Sequence, residues 1–278
     1  MKNKVVLITG GSSGIGFDTA GTLAKQGHTV YAAARRVSLM EPLLDLGVHI
    51  LAMDVTDKES MEKGVRTVLE EQGRIDVLIN NAGYGYLGPI ENVPLEEARR
   101  QLEVNLFGLA TLTKLVLPFM RERKCGRIVN ISSMAGKAVV SFGGWYNISK
   151  YAVEALSDAL RIEVKNFGID VVLIEPGGIK TDWGLIAADH LSRSSAGTVY
   201  ETAAEKEAAL LRYAYSKDVL SNPSCVTACI SKAVNARRPR LRYKPGLGSH
   251  AIQIFHALLP ARCWDALMRV FLINKKTL

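Results

Sequence analysis

Cysteine, histidine and long apolar runs are all scarce in this chain. Its four cysteines, Cys125, Cys225, Cys229 and Cys263, are scattered. Even "CVTAC" at 225–229 has no further good ligands nearby. No metal site and no disulfide framework are expected, only free thiols in a reducing compartment. No stretch approaches the roughly 20 unbroken apolar residues of a membrane span. The opening run "KVVLIT" meets glycines within six residues. It is too short for a signal-peptide core, which leads to the expectation of a cytoplasmic protein. Linkers, internal repeats and low-complexity tracts are missing too, so the 278 residues read as one domain. Acidic residues are missing from the tail. Residues 231–278 carry ten Lys/Arg against one Asp, a net +9, and leave −1 for the rest of a chain whose total is +8. These cations are not interleaved with an aromatic stacking platform, so no nucleic-acid partner is expected.

What is present is a core and a rhythm. Apolar residues make up 48% of the chain, enough for a sizeable interior. Over the first 180 residues, strands are expected at 4–9, 28–34, 48–54, 75–83, 126–133 and 169–178. Helices are expected at 14–27, 57–73, 95–123 and 144–168, with Gly27 and Gly73 closing the first two and Asp57 opening the second. The strands are continuous apolar runs, which a parallel sheet covered on both faces requires. Unbroken alternation of this kind argues an α/β fold with a doubly wound parallel sheet. After 180 the rhythm changes. Residues 181–221 read as helical pieces and loop, 222–239 as a helix, "RLRYK" as a short strand, and 249–272 as two apolar helical patches broken at Pro260. The expected plan is a single domain, 1–278: a core at 1–180, a lid at 181–221 and a C-terminal helical extension at 222–278.

"TGGSSGIG" at 9–16 follows a strand and opens a helix. Gly10 permits a tight turn. Gly14 and Gly16 let backbone and helix approach a pyrophosphate, whose charge suits the donors and dipole of a helix N-terminus. The spacing is Gly-x3-Gly-x-Gly, not the commonest dinucleotide pattern. The end of the second strand should read the adenosine ribose. A carboxylate there accepts from the 2′-hydroxyl of NAD, whereas arginine favours the 2′-phosphate of NADP. The chain has Ala34 in that place, followed by Arg35 and Arg36. The missing acid and the added cations together point to NADP(H) rather than NAD(H). Asp54, ending the third strand, is placed either to accept from the adenine amino group or to cap the next helix.

Tyr146 and Lys150 stand at i and i+4 of a helix, and so share one face. A phenol near pKa 10 is a poor acid–base group at neutral pH, but a nearby ammonium lowers that pKa. Ser133 ends the fifth strand at the carboxyl edge of the sheet, where its hydroxyl can bond a carbonyl oxygen. Together the three can polarise a carbonyl and donate a proton while a cofactor supplies hydride. A serine nucleophile would want a histidine base. His28, His49, His190, His250 and His256 lie in none of these segments, which disfavours hydrolysis.

The ordered set "TGGSSGIG", Asp54, "NNAG" at 80–83, Asn105 in "EVNLFG", Ser133 in "NISS", "YNISK" at 146–150 and "PGGIKT" at 176–181 resembles the short-chain dehydrogenase/reductase family. The match runs over about the first 185 residues. The resemblance implies a Rossmann fold and an oxidoreductase of CH–OH/C=O groups. It implies Tyr146 as acid/base, Lys150 as the group that lowers its pKa and bonds the nicotinamide ribose, Ser133 as the holder of the substrate oxygen, and Asn105 as the holder of a relay water. Without the other three, Asn105 would read as a kinking or capping amide. Ser12, Ser13 and Ile15 in the glycine turn, Val55 after Asp54, and Pro176 and Gly177 join the implied cofactor site. Asn81, Ala82 and Gly83 would line the adenosine side, and Thr181 and the backbone around Ile179 the carboxamide end. The resemblance also implies a homodimer or homotetramer paired through the helices at 95–123 and 144–168.

Substrate choice falls to the lid and tail. Trp183, Leu185 and Ile186 are expected apolar contacts, and Trp145 stands beside Tyr146 facing either the pocket or the core. The "FGGWY" approach and the tail resemble the branch with 17β-hydroxysteroid and retinol dehydrogenases. That implies a bulky apolar carbonyl or alcohol: steroid, bile acid, retinoid or long-chain lipid ketone. Small carbonyl compounds are the alternative. The tail helices, with Arg262, Arg269, Lys275 and Lys276, are expected to rest on a membrane surface, to cover the pocket or to meet a partner subunit. A silent NADPH-binding sensor is the rival from another class, but such a protein would tolerate damage to the Ser–Tyr–Lys set. An epimerase or dehydratase of nucleotide sugars would carry a shorter glycine spacing and a larger substrate domain.

Overall fold

The computed structural model describes residues 3–217 and 219–273. Seven strands form one sheet: β1 (Val5–Thr9), β2 (Thr29–Ala34), β3 (His49–Ala52), β4 (Val77–Asn80), β5 (Gly126–Ile131), β6 (Ile169–Ile174) and β7 (Arg242–Tyr243). Their spatial order is β3-β2-β1-β4-β5-β6-β7 and every pairing is parallel. The chain winds outward from β1 on one side and from β4 on the other. The crevice between those two strands is where such a sheet binds its ligands.

The apolar runs are continuous because both faces are covered. Alternate β1 residues go to opposite sides. Val6 and Ile8 join Ala20 and Leu23 of α1 (Gly14–Lys25) and Val226 and Ile230 of α8 (Pro223–Asn235). Val5 and Leu7 join Met61 and Val65 of α2 (Lys58–Gln72) and Leu112 and Val116 of α4 (Leu109–Glu122). Arg127 at the start of β5 ties the sheet to α8. It donates to the carbonyls of Ala233, Val234 and Ala236 and to Asp170 Oδ2 at 2.7 Å. A guanidinium at a helix C-terminus satisfies the orphan carbonyls and suits the dipole.

Several boundaries differ from expectation. β3 is short and half-exposed, because an edge strand has one neighbour and less cover. β4 ends at Asn80 and β5 at Ile131, so "NAG" and Ser133 leave the sheet as loops. A 3-10 segment, Val37–Leu46, fills a stretch without a sequence signal. The expected helix at 95–123 is α3 (Leu95–Leu102), a π-helical turn (Glu103–Gly108) and α4. Taken as one, Leu95–Glu122 is 28 residues long and apolar enough to cross a membrane. That departs from the reading of no such stretch, but Leu112, Val116 and Met120 spend its apolar face on the sheet. The helix expected at 144–168 is α5 (Gly144–Glu163), and the one at 222–239 ends at Asn235.

Beyond β6, α6 (Trp183–Ser195) and α7 (Glu201–Ser216) form a helical pair. Ala187, Ala188 and Leu191 of α6 and Ala204 and Ala208 of α7 are fully buried. Small residues let the two backbones come close. α9 (Ser249–Leu258) and α10 (Ala261–Ile273) then fold back over the domain. Ser249 Oγ donates to the Glu175 carbonyl at 2.6 Å, and Trp264 Nε1 to the Val139 carbonyl at 3.2 Å. The tail thus packs against the segment leading to Tyr146. Lys275 and Lys276 lie outside the described residues.

Candidate active site

The glycine turn is set by steric need. Gly10 and Gly14 have φ of +69° and +55°, the left-handed region that favours glycine. A Cβ on Gly16 would lie 2.2 Å from the Gly10 carbonyl oxygen, and one on Gly14 3.2 Å from Thr181 Cγ2. Asn81 Nδ2 donates to the carbonyls of Thr9 and Gly10 at 2.9 and 3.3 Å. Its side chain therefore fastens the turn. Ser13 is the N-cap of α1 but makes no side-chain cap bond, so the helix opens toward Ser12, Ile15 and Thr181 without an internal cap. The residues present fit a dinucleotide phosphate there.

Ala34 ends β2 with Arg35 and Arg36 beyond it. Arg36 Nη2 lies 3.4 and 3.5 Å from the hydroxyls of Ser12 and Ser13. Arg35 Nη1 is 3.9 Å from Asp54 Oδ2. The Arg36 guanidinium thus borders the glycine turn, and that of Arg35 faces Asp54. Asp54 accepts from the Thr56 N–H and hydroxyl at 2.9 and 2.8 Å. Burial pushes its carboxyl pKa up, but the Thr56 bonds and the charges of Arg35 and Arg100 prevail, and the net direction is down. The cap of α2 is Asp57, which accepts from Glu59 and Ser60. Asp54 is not that cap. Val55 packs against Gly108, whose Cβ would sit 2.4 Å from the Val55 carbonyl oxygen.

Ser133, Tyr146, Lys150 and Asn105 converge at the carboxyl edge of β4 and β5. Ser133 follows β5 and caps a short turn, accepting from the Ala135 N–H at 3.1 Å. Burial pushes the Tyr146 phenol up to about 12, with the Ser133 hydroxyl bond pulling the other way. Lys150 Nζ donates to the Ile131 carbonyl at 2.9 Å and lies 5.9 Å from the centre of the Tyr146 ring. Burial pulls its pKa down to about 8, and Glu154 raises it. In this arrangement the ammonium is bonded to the Ile131 carbonyl, and burial is the larger influence on the phenol. Asn105 sits in the π-helical turn. Its Oδ1 accepts from Tyr84 N–H at 3.0 Å, and its Nδ2 donates to the Tyr84 carbonyl at 2.9 Å and to Ser149 Oγ at 3.0 Å. Its side chain is thereby committed to fixing the loop and the catalytic helix. π-turns inside helices recur at functional sites. A Cβ on Gly83 would lie 3.1 Å from Asn105 Oδ1 and 3.6 Å from Lys150 Nζ, which puts Gly83 beside the catalytic set.

The other expected cofactor residues divide. Thr181 faces Gly14 across the crevice. The Pro176 carbonyl accepts from Met134. Gly177 N–H donates to Pro245, and a Cβ there would meet the Leu247 carbonyl oxygen at 2.1 Å. Gly177 therefore pins the tail. The Ile179 side chain is buried in the core beside Gly246; its backbone bridges to Ser221.

The lid covers the phenol. The Trp183 ring lies 5.1 Å from that of Tyr146, centre to centre, and a Cβ on Gly85 would collide with it at 2.4 Å. Leu185 and Ile186 do not join it. They are 43% and 48% exposed, because the buried stripe of α6 runs through Gly184, Ala187, Ala188 and Leu191. The Trp145 indole N–H is buried without a hydrogen-bond partner. Tyr215 of α7 was not legible in the sequence. Its ring presses on Gly184, its pKa is pushed up to about 12 by burial, and it is close enough for the Tyr146 charge to add to that rise. His190 stacks on Tyr86 at 4.3 Å and anchors α6. Phe142 adopts φ of +54°, unusual for a bulky residue, with its carbonyl accepting from Gly88 N–H at 2.8 Å. Among the described residues no group of three His, Cys, Asp or Glu could hold a metal ion.

A doubly wound sheet with a glycine turn at its crevice and a Ser–Tyr–Lys set beside it defines a dinucleotide-dependent oxidoreductase. Residues 4–188 match the short chain dehydrogenase family, and the chain belongs to that family. A probable short-chain type dehydrogenase/reductase VdlC of Helicobacter pylori is 35% identical over 272 residues, 98% of this chain and 99% of that one. A 3-ketodihydrosphingosine reductase of Bacteroides thetaiotaomicron is 44% identical over 182 residues, 65% of this chain and 66% of that one. Among solved structures, the closed form of serine dehydrogenase complexed with NADP+ superposes with a TM-score of 0.73 at 26% identity, covering 87% of this chain and 94% of that one. The protein is an oxidoreductase of CH–OH/C=O groups with a nicotinamide dinucleotide cofactor.

Proposed function

We propose that the protein is an NADP(H)-dependent reductase of a ketone on a bulky apolar molecule, with a long-chain lipid ketone as the leading member of that class. Arg36 beside Ser12 and Ser13, Arg35 beside Asp54, and Ala34 where a carboxylate would stand carry the cofactor part. Guanidinium forks form charged bonds to a 2′-phosphate, whereas a bare 2′-hydroxyl would lack the carboxylate acceptor it prefers. The substrate part rests on the lining. Trp183, Tyr215, Leu87 and Phe142 surround Tyr146 with aromatic and aliphatic surface. The relative named as a 3-ketodihydrosphingosine reductase supports a lipid ketone among the bulky candidates, which include steroids, bile acids and retinoids.

A nicotinamide dinucleotide held by the glycine turn and Thr181 would supply the hydride that the carbonyl carbon needs. Ser133 holds the carbonyl oxygen through its hydroxyl. Tyr146 gives that oxygen its proton, so the product is a secondary alcohol. A phenol pushed up to about 12 is protonated throughout the neutral range and stands ready as a donor. Lys150 supplies positive charge beside the phenolate that forms. Its ammonium is complete well below pH 8 and is lost as pH rises through about 8, so turnover declines on the alkaline side. Packing of Trp183 over the phenol excludes water from the transfer.

The test is oxidation of NADPH and NADH at 340 nm against 3-keto lipids, ketosteroids, retinal and small diketones. Turnover of a bulky ketone with NADPH favoured at least about tenfold supports the reading. Turnover of small polar carbonyls alone, or a preference for NADH, refutes it. Tight NADPH binding with no turnover of any compound would favour the silent sensor. Exposed Phe107, Phe119, Ile148, Tyr151 and Ile162 on α4, α5 and the π-turn support pairing of two copies there, which light scattering tests. Ile254, Phe255 and Leu258 on α9 are more than half exposed and support contact of the tail with a lipid surface, which liposome flotation tests.

A further inference from the structure

The lid helix α6 rests on the loop that follows β4 through a stripe of residues that the proposed reaction does not use. Trp183, Ala187, His190 and Ser194 recur at spacings of four, three and four residues, so they share one face of the helix. Three of them meet the loop. A Cβ on Gly85 would lie 2.4 Å from Trp183 Cζ2. The His190 ring stacks on that of Tyr86, with 4.3 Å between centres and 28° between planes. Ser194 Oγ donates to the Leu87 carbonyl at 3.2 Å. The loop is in turn tied to the core. Asn105 holds both backbone groups of Tyr84, and Gln101 Oε1 of α3 accepts from the Tyr86 N–H at 2.5 Å. From His190 to the phenol the path is short. Tyr86 adjoins Gly85, Gly85 touches Trp183, and the Trp183 ring lies 5.1 Å from that of Tyr146.

The His190 Nδ1 is buried without a hydrogen-bond partner. As a bare acceptor it costs little there, but with a proton it becomes a charged donor that finds no acceptor. Charged groups face the ring from three helices. Asp189 and Arg193 stand on α6 and Glu97 on α3, and Arg212 of α7 donates to Asp189 Oδ1 at 2.9 Å. Burial and Arg193 pull the His190 pKa below its ordinary value, against a backbone hydrogen bond at Gly85 and the charges of Glu97 and Asp189. Protons therefore bind better to a ring released to solvent than to the stacked one. The seated lid is favoured above that lowered pKa and loosens as pH falls through it.

We propose that His190 is a positioning residue that seats α6 on the loop after β4 with a neutral ring, so that Trp183 stays over Tyr146 and the grip on a long apolar substrate weakens when the ring gains a proton. The effect on substrate rests on the bulky-ketone reading above. The effect on Trp183 does not, and it is measured without substrate.

The experiment follows histidine ring and tryptophan indole signals of the full chain by NMR, from neutral to mildly acidic pH, in free and NADPH-loaded protein. His190 is assigned by the loss of its signal in His190→Phe, and Trp183 by the loss of its own in Trp183→Phe. The His190 midpoint is expected below the ordinary histidine range, with the Trp183 indole moving at the same midpoint. His190→Phe keeps a stacked ring without a titrating nitrogen. Its Trp183 signal should stay near the neutral-pH position and no longer follow pH. His190→Ala removes the stack, which should raise KM for a long-chain ketone about two- to tenfold while kcat changes less. His190→Phe should restore that KM. Should His190→Ala fail to fold, the wild-type titration and His190→Phe carry the test. A Trp183 signal that does not follow His190, or one that still titrates in a folded His190→Phe, overturns the proposal and leaves the stack a structural contact alone. Coupled His190 and Trp183 signals with no turnover in any variant would refute the catalytic reading and support the seating of the lid on their own.

Discussion

Residues 1–180 and residues 181–273 meet at Tyr146 from opposite directions and obey different constraints. The first region must fold a turn against phosphate and fix a phenol, an ammonium and a hydroxyl. Each need has few solutions. Gly16 is glycine because a Cβ would fall 2.2 Å from a backbone oxygen. Lys150 must reach from one helical turn beyond Tyr146 to the end of β5. Within the second region, the α6–α7 pair has only to fill volume above the phenol. Ala187, Ala188, Ala204 and Ala208 do so by close helix packing, and many apolar sets of equal volume would serve. Chemistry constrains residue identity, whereas shape constrains volume. The reaction class is therefore written in the first region, and on the proposed reading Trp183 and Tyr215 of the second join Leu87 and Phe142 in shaping the substrate chamber.

That contrast can be broken in order of expected effect. Tyr146→Phe removes one hydroxyl from the first region. Turnover should fall about 10³-fold while NADPH affinity, followed by fluorescence titration, changes little. Gly16→Ala should weaken NADPH binding and lower the stability by about 1–3 kcal/mol, read by urea unfolding, since the new methyl meets backbone. Replacing Arg35 and Arg36 together by alanine should cost NADPH about 10- to 100-fold in affinity, the worth of charged hydrogen bonds to a phosphate. NADH binding should be nearly unchanged. Trp183→Ala, in the second region, should raise KM for a long ketone about tenfold and leave a short one within twofold, because it removes apolar wall and not chemistry. If Trp183→Ala abolished turnover of every ketone, the division between the two regions would be wrong.

The same contrast explains what could be read in advance. The sheet, the glycine turn and the Ser133–Tyr146–Lys150 set were legible because period, turn chemistry and spacing all pointed one way. The π-turn at Asn105 was not, since a π-turn and an α-helix share one apolar pattern. Asn81 and Gly177 carry motif identities, but their contacts go to the glycine turn and to the tail. Those partners come from long-range packing that no local pattern records. Leu185 and Ile186 read as pocket residues for their apolarity alone, and the face they occupy is decided by where α7 docks. Tyr215 and His190 lie far along the chain from the groups they meet, outside every motif.

The most direct measurement is kcat/KM with NADPH for a series of methyl ketones of increasing chain length. Burying each methylene beneath Trp183 and Tyr215 stabilises the complex by about 0.8 kcal/mol. A rise of about three- to fourfold per carbon is therefore expected until the chamber is filled, with the same slope in Arg35→Ala at a lower level. A flat series, or one that falls as the chain lengthens, would contradict the assignment of a bulky apolar substrate.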